Sequence, residues 1–139
     1  MHVTNETSEH FFALSCLAGL TNYLKIESIL DIGTGTGRSL KYLKKFCPKI
    51  KIIGIEPVKE LREVAYSQGV PKEELIDGDA TKLNFRNSEF DLVCEFGTLH
   101  HIKNNKLVVD EMLRVSKIVL SPKRGVSLAP DERGKLDPL

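Results

Sequence analysis

The segment Ile29-Leu30-Asp31-Ile32-Gly33-Thr34-Gly35-Thr36-Gly37 constrains this chain more than any other. A short apolar run of this kind is what a parallel strand covered on both faces looks like. Three glycines at alternate positions then end it. They let the backbone turn sharply and approach a ligand with no Cβ in the way. Leu40, Leu43 and Phe46 follow at helical spacing, with Lys41, Lys44 and Lys45 on the opposite, solvated side, so the loop leads into a helix whose first, unpaired N–H groups are on offer to an anion. The dinucleotide pattern G-x-G-x-x-G fits neither register: from Gly33 its third glycine falls at Arg38, and from Gly35 at Leu40.

The same alternation continues along the chain. A helix is expected over residues 5–24, and Pro48 ends the helix that follows the glycine loop. A second strand runs from Lys51 to Glu56, and Pro57 opens a helix with Val58, Leu61 and Val64 inward and Gly69 beyond its end. Leu75-Ile76 is a short third strand closing at Asp77-Gly78-Asp79. Phe90 to Glu95 is a fourth, Asn104 or Asn105 caps a helix to about Val115, and Lys117 to Ser121 is a fifth. Strands alternating with helices imply an α/β fold, a doubly wound, Rossmann-like and mostly parallel sheet.

The chain has 139 residues and a formal net charge of +1, with 20 Lys and Arg against 19 Asp and Glu. One domain is the expectation at that length. A surface dedicated to nucleic-acid phosphates would be far more basic, so no nucleic acid is expected as a partner. No membrane is expected either: the apolar run Phe11 to Leu20 is ten residues, too short to span a bilayer, and follows Glu6 and Glu9 rather than basic residues. Cys16, Cys47 and Cys94 are far apart and form no CxxC, which disfavours a zinc site and fits a reducing, cytoplasmic setting.

Acidic residues fall where strands end: Asp31, Glu56, Asp79 and Glu95. In open α/β sheets ligands bind outside the carboxyl ends of the strands, so four such carboxylates are expected to ring one crevice. Any one of them alone reads as a solvated loop residue; it is the set, together with the glycine loop, that points to a ligand site.

These stretches together resemble the class I S-adenosylmethionine-dependent methyltransferases. The resemblance is carried by Ile29–Gly37, then Ile52-Ile-Gly-Ile-Glu-Pro57, Gly78-Asp-Ala80, and Phe90-Asp-Leu-Val93 running on to Leu99-His-His-Ile102, and it covers about residues 26–121. It looks closest to the group acting mainly on small molecules. The resemblance implies S-adenosyl-L-methionine as cofactor, with Gly33, Thr34 and Gly35 along its methionine part and Asp31 holding the amino group. Glu56 would accept from both ribose hydroxyls, Asp79 from the adenine amine, and the Ala80 N–H would donate to a ring nitrogen. The chain at Glu95 and Phe96 would border the methionine end and the substrate. His100 and His101 are the histidines of that segment, the residue type suited to proton transfer. One of them would serve as general base for the acceptor, or the pair simply opens the loop before the next helix.

The resemblance also implies a sheet in the order 3-2-1-4-5, with the usual last two strands missing here. Residues 1–121 are expected to form the cofactor-binding domain, and 122–139, with three prolines, two glycines and seven charges, an irregular or disordered tail. The fifth strand would then be an uncovered edge at Ile118, Val119 and Leu120, prone to pair with a second copy, and the tail's prolines would cover it only in part. Two functions follow: methyl transfer to a small-molecule acceptor, or a cofactor-binding module needing another chain for turnover.

Overall fold

The computed structural model describes residues 9–96, 98–121 and 125–128. The elements in chain order are α1 (Glu9–Tyr23), β1 (Ser28–Ile32), α2 (Arg38–Phe46), β2 (Lys51–Ile55), α3 (Lys59–Ser67), β3 (Leu75–Ile76), β4 (Phe90–Glu95), α4 (Asn105–Val115), β5 (Ser116–Ser121) and β6 (Gly125–Leu128). A single 3-10 turn, Leu99–His101, precedes α4. The sheet order is β3-β2-β1-β4-β5-β6. The first five strands pair in parallel, in the order expected.

β1 lies at the centre of the sheet, with β2 on one side and β4 on the other, pairing Ile29 with Ile52 and with Leu92. The chain order reverses there, and the crevice of a doubly wound sheet opens at that reversal. The sheet's two faces carry two cores. On one, Ile29, Ile52 and Leu92 pack with Leu14 and Leu17 of α1 and Leu40 and Leu43 of α2. On the other, Leu30, Ile32 and Val93 pack with Val108, Met112 and Val115 of α4. Burial on both faces is why β1 and β4 read as unbroken apolar runs.

The sheet does not end at β5. β6 pairs with it antiparallel, Leu120 opposite Val126 and Val119 opposite Ser127. The expectation of an uncovered β5 edge is therefore overturned, and with it the route to self-association through Ile118, Val119 and Leu120. The physical reason is local: Gly125-Val-Ser-Leu128 holds no proline, so each residue can donate to the ladder. The expected irregular tail thus contains a strand, while residues 122–124 and 129–139 lie outside the described residues.

Two helix faces also differ from expectation. Val58 and Val64 were expected inward, yet they are 44% and 41% exposed. α3 starts at Lys59 and packs through its smallest side chain, Ala65, which is fully buried. The adjacent position, Val64, is turned about 100° away from that contact. Phe46, expected inward with Leu40 and Leu43, is 52% exposed at the end of α2, its ring 4.5 Å from that of Tyr42.

Candidate functional site

The glycine loop is built on backbone conformations that exclude most side chains. Gly33, Gly35 and Gly37 have φ of +69°, +63° and +84°, the left-handed region where only glycine sits without strain. The Gly33 and Thr34 N–H groups both donate to Ile55 O, at 2.9 and 3.1 Å, so the loop is tied to the end of β2. A Cβ on Gly33 would lie 1.9 Å from Thr98 Oγ1. That Thr98 hydroxyl donates to Ile32 O at 3.1 Å, closing the loop from the β4 side. A Cβ on Gly35 would meet nothing within 4 Å. Gly35 therefore presents bare backbone to open space.

That space is a crevice of about 720 Å³, within the roughly 300–1,000 Å³ typical of ligand pockets. Gly33 and Gly35 form one wall and Glu56 stands beside them. Ile55, Val58, Leu61 and Ile102 supply apolar surface, and Asp79 and Ala80 close the far side. The exposure of Val58 follows from this: it faces the crevice rather than the core. A smaller polar cleft of about 280 Å³ lies behind the loop, bordered by Asp31, Thr34, Arg38 and Ser39, and shares Gly33, Gly35 and Phe96 with the crevice.

Glu56 is 6% exposed, and its carboxylate spans the gap between loop and helix. Oε2 accepts from the Gly35 N–H at 2.9 Å and Oε1 from the Val58 N–H at 3.0 Å. A carboxylate has about four acceptor sites, so each oxygen keeps one for a ligand hydroxyl. Asp79 is exposed at the crevice end. The Thr81 hydroxyl and N–H both donate to its Oδ1, at 2.7 and 2.8 Å, and hold its carboxyl below the usual range.

Asp31 is fully buried. Burial pushes its carboxyl up to about 6, against hydrogen bonds from Ser39 and Thr34 that favour the ionised form. Ser39 Oγ donates to Oδ2, and Cys94 Sγ lies 3.8 Å from Oδ1. The neighbouring carboxylate raises the Cys94 thiol further than burial alone does.

The structure brings Asp31, Gly33, Thr34, Gly35, Glu56, Asp79 and Ala80 to one connected cavity system. It does not bring the Glu95 carboxylate there. Glu95 is 1% exposed; Oε2 accepts from the Thr98 and Leu99 N–H groups at 3.0 and 3.4 Å, and Oε1 meets the Ser121 hydroxyl. Its neighbour Phe96 borders both cavities instead. His101 is exposed at the crevice rim, and the His100 side chain lies outside the described residues.

Thr98, Val58, Leu61 and Gly54 complete the site; the sequence reading assigned Val58 and Leu61 to the core and gave Thr98 and Gly54 no role. A Cβ on Gly54 would sit 2.4 Å from Thr34 Oγ1, so this β2 glycine lets the loop lie against the strand. A glycine inside the apolar run Ile52–Ile55 is itself a sign of close backbone approach, and that signal was available.

Comparison with known proteins places this geometry. Residues 30–118 match the methyltransferase domain family. The demethylmenaquinone methyltransferase of Thermotoga maritima is 31% identical over 91 residues, covering 66% of this chain and 39% of the relative. The norajmaline N-methyltransferase of Rauvolfia serpentina is 30% identical over 124 residues, covering 78% and 42%. The crystal structure of the Bacillus subtilis YcgJ protein superposes with a TM-score of 0.68 at 27% identity, over 79% of this chain and 49% of that one. The chain spans about two-fifths of the length of the curated relatives it matches. Among the described residues no helix is long and apolar enough to cross a membrane. From the glycine loop to β5, sequence, fold and site agree: the chain belongs to the class I S-adenosylmethionine-dependent methyltransferase family.

Proposed function

We propose that this chain binds S-adenosyl-L-methionine in the crevice and positions it for methyl transfer to a small-molecule acceptor. The observation that carries the reading is the convergence of Glu56, the open side of Gly35 and the Asp79–Ala80 turn on one space. The residues fit the cofactor. Glu56 keeps acceptor sites on two oxygens for a vicinal diol, and Ile55, Val58, Leu61 and Ile102 suit the faces of a planar base. Asp79 accepts from the base's amine, and the Ala80 N–H donates to a ring nitrogen. Asp31, through the polar cleft, holds the amino group of the methionine portion, and Gly33, Thr34 and Gly35 leave room for its chain.

When bound, the cofactor supplies a methyl group made electrophilic by its sulfonium. The protein's task is then chiefly placement. Holding two reactants in line is worth on the order of 7–11 kcal/mol. His101, at the rim, takes the proton that the acceptor oxygen, nitrogen or carbon gives up; His100 is the second candidate for that role. The three cysteines are unpaired, which supports work in the cytoplasm.

A second reading is a cofactor-binding unit whose acceptor side is completed elsewhere. Calorimetry with S-adenosylhomocysteine and NAD side by side tests the shared claim: the first binds, and equal affinity for NAD refutes it. Transfer of labelled methyl to any acceptor then separates the two readings.

A further inference from the structure

Arg62 is a cation in the first turn of α3, where the helix dipole favours acidic side chains. Its side chain is nevertheless drawn in, to 12% exposure. There Nη1 donates to the main-chain O of Glu56 at 2.6 Å and to Asp77 Oδ1 at 3.1 Å. The ladder between β2 and β3 ends with Ile55 opposite Ile76, and the Glu56 N–H still reaches Ile76 O at 3.1 Å. Arg62 supplies the next rung from a side chain. The Glu56 main chain is thus held at its N–H by β3 and at its carbonyl by α3. The ion pair with Asp77 does not account for the arrangement. Asp77 is 72% exposed, and pairs of that kind contribute little to stability. What Asp77 does is keep the guanidinium at the Glu56 carbonyl.

Resting on the reading that the crevice takes S-adenosyl-L-methionine, we infer that Arg62 is a positioning residue for the cofactor's ribose, acting through Glu56. The Gly35 and Val58 N–H groups orient the Glu56 carboxylate, but they do not fix the main chain that carries it. Arg62 does. It stands outside the residues that line the crevice, so it meets no ligand itself. The base side is anchored separately, because the Thr81 hydroxyl and N–H hold the Asp79 carboxylate. Loss of Arg62 therefore loosens the diol's acceptor and leaves the base's contacts in place. A binding group whose support is loosened still sits in its site, at a geometry too variable to bind well.

Calorimetry on the full chain with two ligands tests this: S-adenosylhomocysteine and its 2′,3′-dideoxy analogue, which lacks both ribose hydroxyls. Arg62→Met removes the donor and keeps an apolar stem. It weakens S-adenosylhomocysteine about fivefold, the worth of one hydrogen bond, and changes the dideoxy analogue by less than about twofold. Placed on Glu56→Ala, it lowers the affinity for S-adenosylhomocysteine no further. Asp77→Ala, at an exposed position, weakens S-adenosylhomocysteine with the same selectivity. A residue that merely supports the fold would weaken both ligands alike and add its loss to that of Glu56→Ala. Equal losses for the two ligands, additivity with Glu56→Ala, or an unchanged dissociation constant overturns the inference. Should Arg62→Met abolish the cooperative thermal transition, Asp77→Ala decides, and an indifferent Asp77→Ala then overturns it. No binding of S-adenosylhomocysteine to the unaltered chain sinks the methyltransferase reading. Binding that Arg62→Met leaves untouched sinks the positioning role alone.

Discussion

Gly33→Ala tests the architecture of the loop, because both of its costs can be worked from the structure. The first is conformational: alanine held at φ +69° costs about 1–2 kcal/mol. The second is steric. The new Cβ would lie 1.9 Å from Thr98 Oγ1, 2.5 Å from its Cγ2 and 2.7 Å from its Cβ. Since Thr98 Cβ itself is too close, no rotation about χ1 clears the clash and the backbone after β4 must retreat. Overpacking of that kind costs roughly 1–3 kcal/mol, and losing the Thr98 hydroxyl's bond to Ile32 O adds about 1 kcal/mol. The total is about 3–6 kcal/mol, a large share of the roughly 5–15 kcal/mol a domain commands. Gly35→Ala is the control. Its φ of +63° carries the same conformational cost, but its Cβ meets nothing within 4 Å, so its loss stays near 1–2 kcal/mol. Urea unfolding of both variants, and of Gly33→Ala combined with Thr98→Ala, reads the difference. The double variant should lose less than the sum of its parts by about 1 kcal/mol or more. Equal losses for the two glycines, or strict additivity with Thr98→Ala, would refute the claim that Thr98 braces the loop.

Glu56→Ala removes the carboxylate proposed for the ribose, so affinity for S-adenosylhomocysteine should fall roughly 10- to 150-fold, from the 1.5–3 kcal/mol of charged hydrogen bonds. An unchanged dissociation constant by calorimetry would leave the carboxylate serving only Gly35 and Val58. Asp31 has its folded pKa raised to about 6 from 3.8, chiefly by burial. The folded state therefore binds more protons than the unfolded between those values, and stability falls as pH rises from about 4 to 6, by up to roughly 3 kcal/mol. Asp31→Asn should flatten that part of the pH profile in urea melts; parallel profiles for both proteins would count against it. Arg114 donates to Leu83 O and Phe85 O at 2.9 and 2.8 Å. Arg114→Ala should cost about 1–3 kcal/mol and speed hydrogen exchange across residues 83–87, with no rescue by Lys, whose single ammonium cannot bridge both carbonyls. Unchanged exchange would mean the loop holds itself.

The order of the five parallel strands was legible because each strand is a short apolar run ended by an acidic or glycine-rich turn. That pattern is set by burial on both faces and by the turn that follows, both local properties. β6 was not legible: four residues between prolines at 122 and 130 make a weak strand signal, and only pairing with β5 gives it shape. The helix faces misread at Val58, Val64 and Phe46 share a cause. Periodicity reports which residues are apolar, and it assumes that apolar means core-facing. Val58 is apolar because it lines the crevice, and α3 meets the core through Ala65, whose small size lets it approach Gly37.

Glu95 shows how far a motif can carry a residue's role. Its position at the end of β4 resembles that of the other three acidic residues, and nothing in its immediate sequence distinguishes it. The difference lies three and four residues on. The chain turns back through the 3-10 turn and aims the Thr98 and Leu99 N–H groups at the carboxylate, while Ser121 at the end of β5 meets its other oxygen. Glu95 thereby fixes the segment that carries Thr98, and Thr98 in turn presses on Gly33. Three of the acidic residues border the cavity system, and the fourth holds in place the strap that shapes it. Position along the sequence identified all four as belonging to the carboxyl end of the sheet. Which of them face a ligand depends on the path of the loop after β4, and that path is set by hydrogen bonds across three strands.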